Sequence, residues 1–159
     1  MLRGLVFLAF VAAAASEQPR RQVPADFAVR LEFGCANVDV LDTAKGTYER
    51  SMSREPKQIA NVVVTQQLRE RWFDLVNEAH FFVITSERLS GLGICEPSMR
   101  YEMTVSGGGK PHTVRWEDCW LEPTIDEHKR IMTLVGEILK NVNAMPAVER
   151  LRPTDLLCL

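Results

Sequence analysis

Few residues in this chain are equipped for chemistry. It holds three histidines, His80, His112 and His128, and four cysteines, Cys35, Cys95, Cys119 and Cys158. His112 falls on the apolar side of an alternating stretch, and His128 opens a helical stretch near its apolar stripe. Two acidic pairs, Glu117-Asp118 and Asp126-Glu127, lie close by. An imidazole beside a carboxylate is the working unit of general acid–base catalysis and of many metal sites. If His112, Asp118, Glu127 and His128 met in one cleft, they would suit a small hydrolase, and a carboxylate pair is what glycoside hydrolysis uses. No His-Glu-x-x-His run is present, however. The ordinary reading is a hydrogen-bonded structural histidine at each position and a solvated, helix-capping acidic edge. His80 ends a helical stretch, where positive charge is favoured by the helix dipole.

Two glycine-rich runs invite a catalytic reading and do not sustain it. A phosphate-binding loop needs a strand before it and a helix N-terminus after it, whereas Gly107-Gly108-Gly109 has strand patterns on both sides. Ser90-Gly91-Leu92-Gly93 lacks the Gly-x-Ser-x-Gly elbow of a hydrolase. The sequence therefore names no catalytic residue, cofactor or metal ligand. Its four cysteines are spaced too widely for a zinc ribbon or a Cys-x-x-Cys redox pair.

The N-terminus bears on what those cysteines do. Arg3 is followed by an apolar core, Leu5 to Val11, and then by Ala13-Ala14-Ala15, with small residues where signal peptidase cuts. Residues 1–15 read as a cleaved signal peptide, with Ser16 as the first mature residue and a secreted or periplasmic destination. The apolar run is about 12 residues, against the roughly 20 that span a bilayer. No cysteine follows it to carry a lipid, and no later apolar run is long enough to cross. In an oxidising compartment an even cysteine count suggests two disulfides, with three possible pairings. A formal net charge of −2 gives no bulk attraction for nucleic acid or anionic lipid.

The elements that must position these residues follow from periodicity. Residues 16–26 are a polar leader with Pro19 and Pro24, and residues 27–159 form one domain. Phe27, Val29, Leu31 and Phe33 alternate with polar neighbours, the mark of a half-buried strand. Further strands are expected over Thr47–Met52 and Ile59–Val64. Thr65 then caps a helix over Gln66–Glu78 with an apolar face at Leu68, Trp72, Leu75, Val76 and Ala79. Phe81 to Ile84 should be buried, and residues 85–98 should be loop. A hairpin follows, with a type I′ turn at Gly108-Gly109. It pairs Met103 with Val114, Tyr101 with Trp116 and Glu102 with Arg115, and it sets Cys119 opposite Ser98. That proximity predicts a Cys95–Cys119 disulfide, which leaves Cys35 to pair with Cys158. A capping box at Thr124–Glu127 opens the last long helix, with its stripe at Ile131, Leu134, Val135, Ile138, Leu139 and Val142. A short helical turn is expected over 147–151. Trp72 and Trp116 take core positions, and Trp120 is a candidate partner contact.

Residues 27–142 also resemble, in the order of their short motifs, a loose group of bacterial secreted and lipoprotein domains of unknown function. The motifs are Phe33-Gly34-Cys35, Gly46-Thr47-Tyr48, Asn77 to Phe82, Cys95-Glu96-Pro97, Tyr101 to Val105 and Val114 to Trp116. The resemblance implies an antiparallel sheet with two helices and carries no activity; the chain departs from the lipoprotein members in lacking the lipid-bearing cysteine. The expected fold is α+β: about five antiparallel strands in the order βββ-α-ββ-α, with two amphipathic helices on one face. The expected function is a non-catalytic extracytoplasmic module that binds a protein or an envelope component. The alternative is a small secreted hydrolase built near residues 112–128.

Overall fold

Alternation at Val29 and Leu31 sends every second side chain of the first strand into the interior, and the same parity carries through its neighbours. The computed structural model describes residues 22–35, 37–89, 98–118 and 125–154. It contains one six-stranded sheet built from β1 (Ala28–Gly34), β2 (Asp39–Asp42), β3 (Thr47–Arg50), β4 (Gln58–Asn61), β5 (Met99–Ser106) and β6 (His112–Asp118). The spatial order is β4-β3-β2-β1-β5-β6, and every neighbouring pair is antiparallel. The chain leaves the β4 edge through α1 (Gln66–Glu78), a 3-10 turn (Phe81–Val83) and α2 (Ser86–Leu89), and re-enters beside β1. After β6 come α3 (Asp126–Asn143) and α4 (Pro146–Glu149).

The core is a single apolar cluster. Val29, Leu31, Leu41, Tyr48, Ala60, Met103, Val105, Val114 and Trp116 of the sheet pack with Trp72 and Val76 of α1 and with Ile131, Leu134, Val135, Ile138 and Val142 of α3. The Trp72 indole N–H donates to Asn141 Oδ1 at 3.0 Å, which ties the two long helices together and satisfies a buried donor. Side chains of opposite parity form a charged face laced by ion pairs within and between strands. Arg30 bridges Glu32 and Asp42, Arg115 pairs with Glu102 at 2.7 Å, and Lys57 pairs with Glu49.

The α+β class and the antiparallel sheet agree with the sequence reading, and several details differ. The sheet has six strands, because Asp39–Asp42 forms β2. Its sequence, Asp-Val-Leu-Asp, places only Leu41 in the apolar core, and its acids carry no strand signal. Those acids instead accept local donors: Asp39 takes the Tyr48 hydroxyl at 2.8 Å and the Ser51 N–H at 2.7 Å, and Asp42 takes the Lys45 N–H at 3.1 Å. β3 stops at Arg50 and β4 at Asn61, short of the expected Met52 and Val64. The hairpin register is as expected, with Tyr101 opposite Trp116 and Met103 opposite Val114. Its turn is not type I′: Gly108 has φ +69° but Gly109 does not take positive φ, and the connection runs over 107–111. The Gly108 N–H is drawn to Asp26 Oδ1 at 2.9 Å, which holds the loop in its wider form.

Thr65 caps α1 as expected, its hydroxyl accepting the Leu68 N–H at 3.3 Å. The segment expected as loop over 85–98 contains α2, whose Leu89 is buried. At α3 the N-cap position is Ile125, with no side-chain cap bond. The box expected at Thr124 begins outside the described residues, as do Trp120, the signal segment and residues 16–21 of the leader. Cys95, Cys119 and Cys158 lie outside them too, and with them the expected Cys95–Cys119 and Cys35–Cys158 pairings. Cys35 is disulfide-bonded. No described helix is long and apolar enough to cross a membrane.

Candidate functional site

The four polar residues singled out in the sequence divide between two ends of the sheet. His112 opens β6 and Asp118 closes it, so about 20 Å of strand separates them. At the closing end, the first turn of α3 brings His128 against Asp118, with Nε2 4.0 Å from Oδ1. His128 is only 3% exposed, and neither facing atom has a hydrogen-bond partner. Tyr101 stacks on Trp116 nearby, with centroids 5.0 Å apart and planes 8° from parallel. Burial pushes the Tyr101 phenol up from its ordinary value, and the Asp118 carboxylate adds to the rise. The Trp116 indole N–H points at the Met132 sulfur at 3.3 Å. Glu127 turns away from this group to Arg88 of α2 at 3.3 Å, and Glu117 pairs with Arg100 and Ser98.

Two clefts bear on this reading. One, of about 370 Å³, is lined by Asp26, Thr43, Val64, Arg69 and Trp72 among others. A shallower one, of about 180 Å³, lies between α1 and α3 at Leu75, Ala79, Lys129 and Arg130. Neither is lined by His112, Asp118, Glu127 or His128. Arg69 in the larger cleft is engaged by the Pro24 and Ala25 carbonyls at 2.6 and 2.7 Å. Among the described residues, no three His, Cys, Asp or Glu side chains gather as a metal would need.

At the opening end of β6 the geometry is of another kind. His80 stands in the left-handed region at φ 53°, a conformation uncommon outside glycine and held by its surroundings. It directly follows Ala79, the C-cap of α1, and reverses the chain there. Phe81 and Ile84 drop into the core as expected. Phe82 and Val83 do not: they are 40% and 66% exposed. The turn is tied down by a 2.8 Å hydrogen bond between His112 Nε2 and the Ile84 carbonyl. Ring contacts of His112 with Phe81 at 5.4 Å and with Phe82 at 6.1 Å add to it. Four successive apolar residues look alike in sequence. The left-handed His80 before them and the His112 hydrogen bond to Ile84 set which two face outward, and histidine gives little sign of a left-handed turn.

No protein-family model matches the chain, and neither does any curated protein sequence.

Proposed function

We propose that the chain is a secreted or periplasmic, non-catalytic binding domain whose contact with a partner protein centres on Phe82 and Val83. The observation that carries this reading is the exposure of two adjacent large apolar side chains on a turn fixed at both ends. Scattered apolar residues on a surface need no explanation. Here the pair is presented by a strained His80, a buried Phe81 and a histidine hydrogen bond, so little conformational entropy remains to be lost on binding. An aromatic anchor with an aliphatic neighbour is the usual centre of a protein contact. The signal-like N-terminus supplies the address. The partner is a protein surface with an apolar recess, not an envelope polymer, because the anchor is apolar.

The hydrolase alternative has one contact in its favour, the approach of His128 to Asp118. Burial of His128 keeps substrate away from it, and His112 and Glu127 are engaged elsewhere. The test uses the chain beginning at Ser16 as bait in extract of its native compartment, beside Phe82→Ser and Val83→Asp. The parent is expected to retain a protein that both variants lose at unchanged melting temperature. Turnover of an ester, peptide or glycoside that disappears in Asp118→Asn would overturn it.

A further inference from the structure

The two edges of the sheet are finished differently. At β6 the Arg115 N–H that points out of the sheet is taken by Ser86 Oγ at 2.9 Å, and α2 packs along the strand. At β4, α4 packs against the strand, but among the described residues no group takes the outward peptide N–H or C=O of Ile59 or Asn61. The Val62 N–H donates to the Gly46 carbonyl at 2.8 Å, and β4 pairs Ala60 with Tyr48 and Gln58 with Arg50. In an antiparallel ladder hydrogen-bonded positions alternate. Gln58 and Ala60, with the Val62 N–H, therefore spend their peptide groups on β3, while those of Ile59 and Asn61 point outward; exposed Val63, past the end of β4, continues the alternation of buried and exposed side chains. Among the described residues of the C-terminal segment, Arg152 meets the Gln58 side chain and Glu55, on the approach to the strand.

Open edges are normally guarded by lysine, proline or a bulge. Pro56 and Lys57 precede this edge, but the free stretch itself carries Ile59 at 56% exposure, Asn61, and Val63 at 79%. It holds no charge. Its arrangement is also self-complementary. With Asn61 opposite Asn61 of a second copy, Ile59 lies opposite Val63 of the partner subunit, and the reverse holds across the two-fold axis. All three pairs are then hydrogen-bonded ones, all outward peptide groups find partners, and the two Ile–Val contacts fall on the same sheet face. Lys57 would face Thr65, so no like charges meet.

We propose that a second copy of this chain pairs antiparallel along β4, centred on Asn61, to make a two-fold dimer with one continuous sheet. The interface is small and the association correspondingly weak. This inference does not depend on the binding role of Phe82 and Val83.

Sedimentation velocity on the mature chain across a concentration series tests it, with Ile59→Lys and Val63→Glu made separately. Both sites are exposed, and circular dichroism checks that each variant is folded. The parent is expected to dimerise reversibly, and each variant to weaken the dimer at least about tenfold. An equimolar mixture of the two variants is expected to regain association, because the lysine then faces the glutamate across the axis. A parent that stays monomeric at its solubility limit overturns the proposal. So does a dimer indifferent to both substitutions, or a mixture no tighter than the variants alone.

Discussion

His128 Nε2 and Asp118 Oδ1 face one another at 4.0 Å in the interior, and neither atom is hydrogen-bonded. A buried polar atom without a partner costs about 1–3 kcal/mol, and replacing it by an apolar group of similar shape removes that cost. His128→Leu is therefore expected to leave unfolding free energy within about 1 kcal/mol of the parent or to raise it. Urea denaturation at neutral pH decides. A loss above about 2 kcal/mol would show that the imidazole has a stabilising partner.

Tyr48 makes the fold sensitive to alkali. Burial raises its phenol well above the ordinary value, and the Asp39 carboxylate that accepts its hydroxyl raises it further. Because the folded value lies above the unfolded one of about 10, the phenol's contribution is complete below pH 10. It is lost as pH rises beyond that, where the unfolded chain ionises first. Stability should fall above pH 10, and Tyr48→Phe should make that fall shallower while costing about 1 kcal/mol at neutral pH. Equal slopes in the two proteins would contradict the assignment.

Gly34 closes β1 where a side chain has no room. A Cβ there would lie 2.0 Å from the Asn37 carbonyl oxygen, so the β1–β2 turn would have to open. Gly34→Ala is expected to destabilise by about 2 kcal/mol or more, seen as a lowered melting temperature. An unchanged melting temperature would mean that the turn yields freely.

The cysteine pairing can be tied to one end of the sheet. Gly34 pairs with Arg100, and Met99 with Asp118, so Cys35 follows β1 where β5 begins and β6 ends. At the same end, Thr154 donates to the Ser51 carbonyl at 3.2 Å and Ser51 donates to the Val38 carbonyl at 2.5 Å. Four residues of chain can span up to about 14 Å, a length compatible with the expected Cys35–Cys158 bond. Non-reducing peptide mapping of the mature protein is expected to give Cys35–Cys158 and Cys95–Cys119. A Cys35–Cys95 or Cys35–Cys119 peptide would refute that pairing.

Sequence patterning reached the elements that have a strong period. Leu68, Trp72, Leu75 and Val76 define α1 to its ends, and the Tyr101–Trp116 and Glu102–Arg115 pairs define the hairpin register. It did not reach β2, where four residues offer one core position, nor α2, which is a single turn of Ser-Glu-Arg-Leu. The candidate site was half legible. The approach of His128 to Asp118 was among the expected meetings. The outward turn of Phe82 and Val83 was not, because it depends on the left-handed conformation of His80 and on a hydrogen bond from His112, 28 residues away along the chain.

The binding role of the Phe82–Val83 turn is tested most directly by placing a photo-crosslinking amino acid at Val83, and as a control at exposed Asp74 on α1, in the protein made in its own cell. One discrete protein adduct is expected from position 83, absent from position 74 and abolished by a second substitution, Phe82→Ser. No adduct at position 83, or the same adducts from both positions, would contradict it.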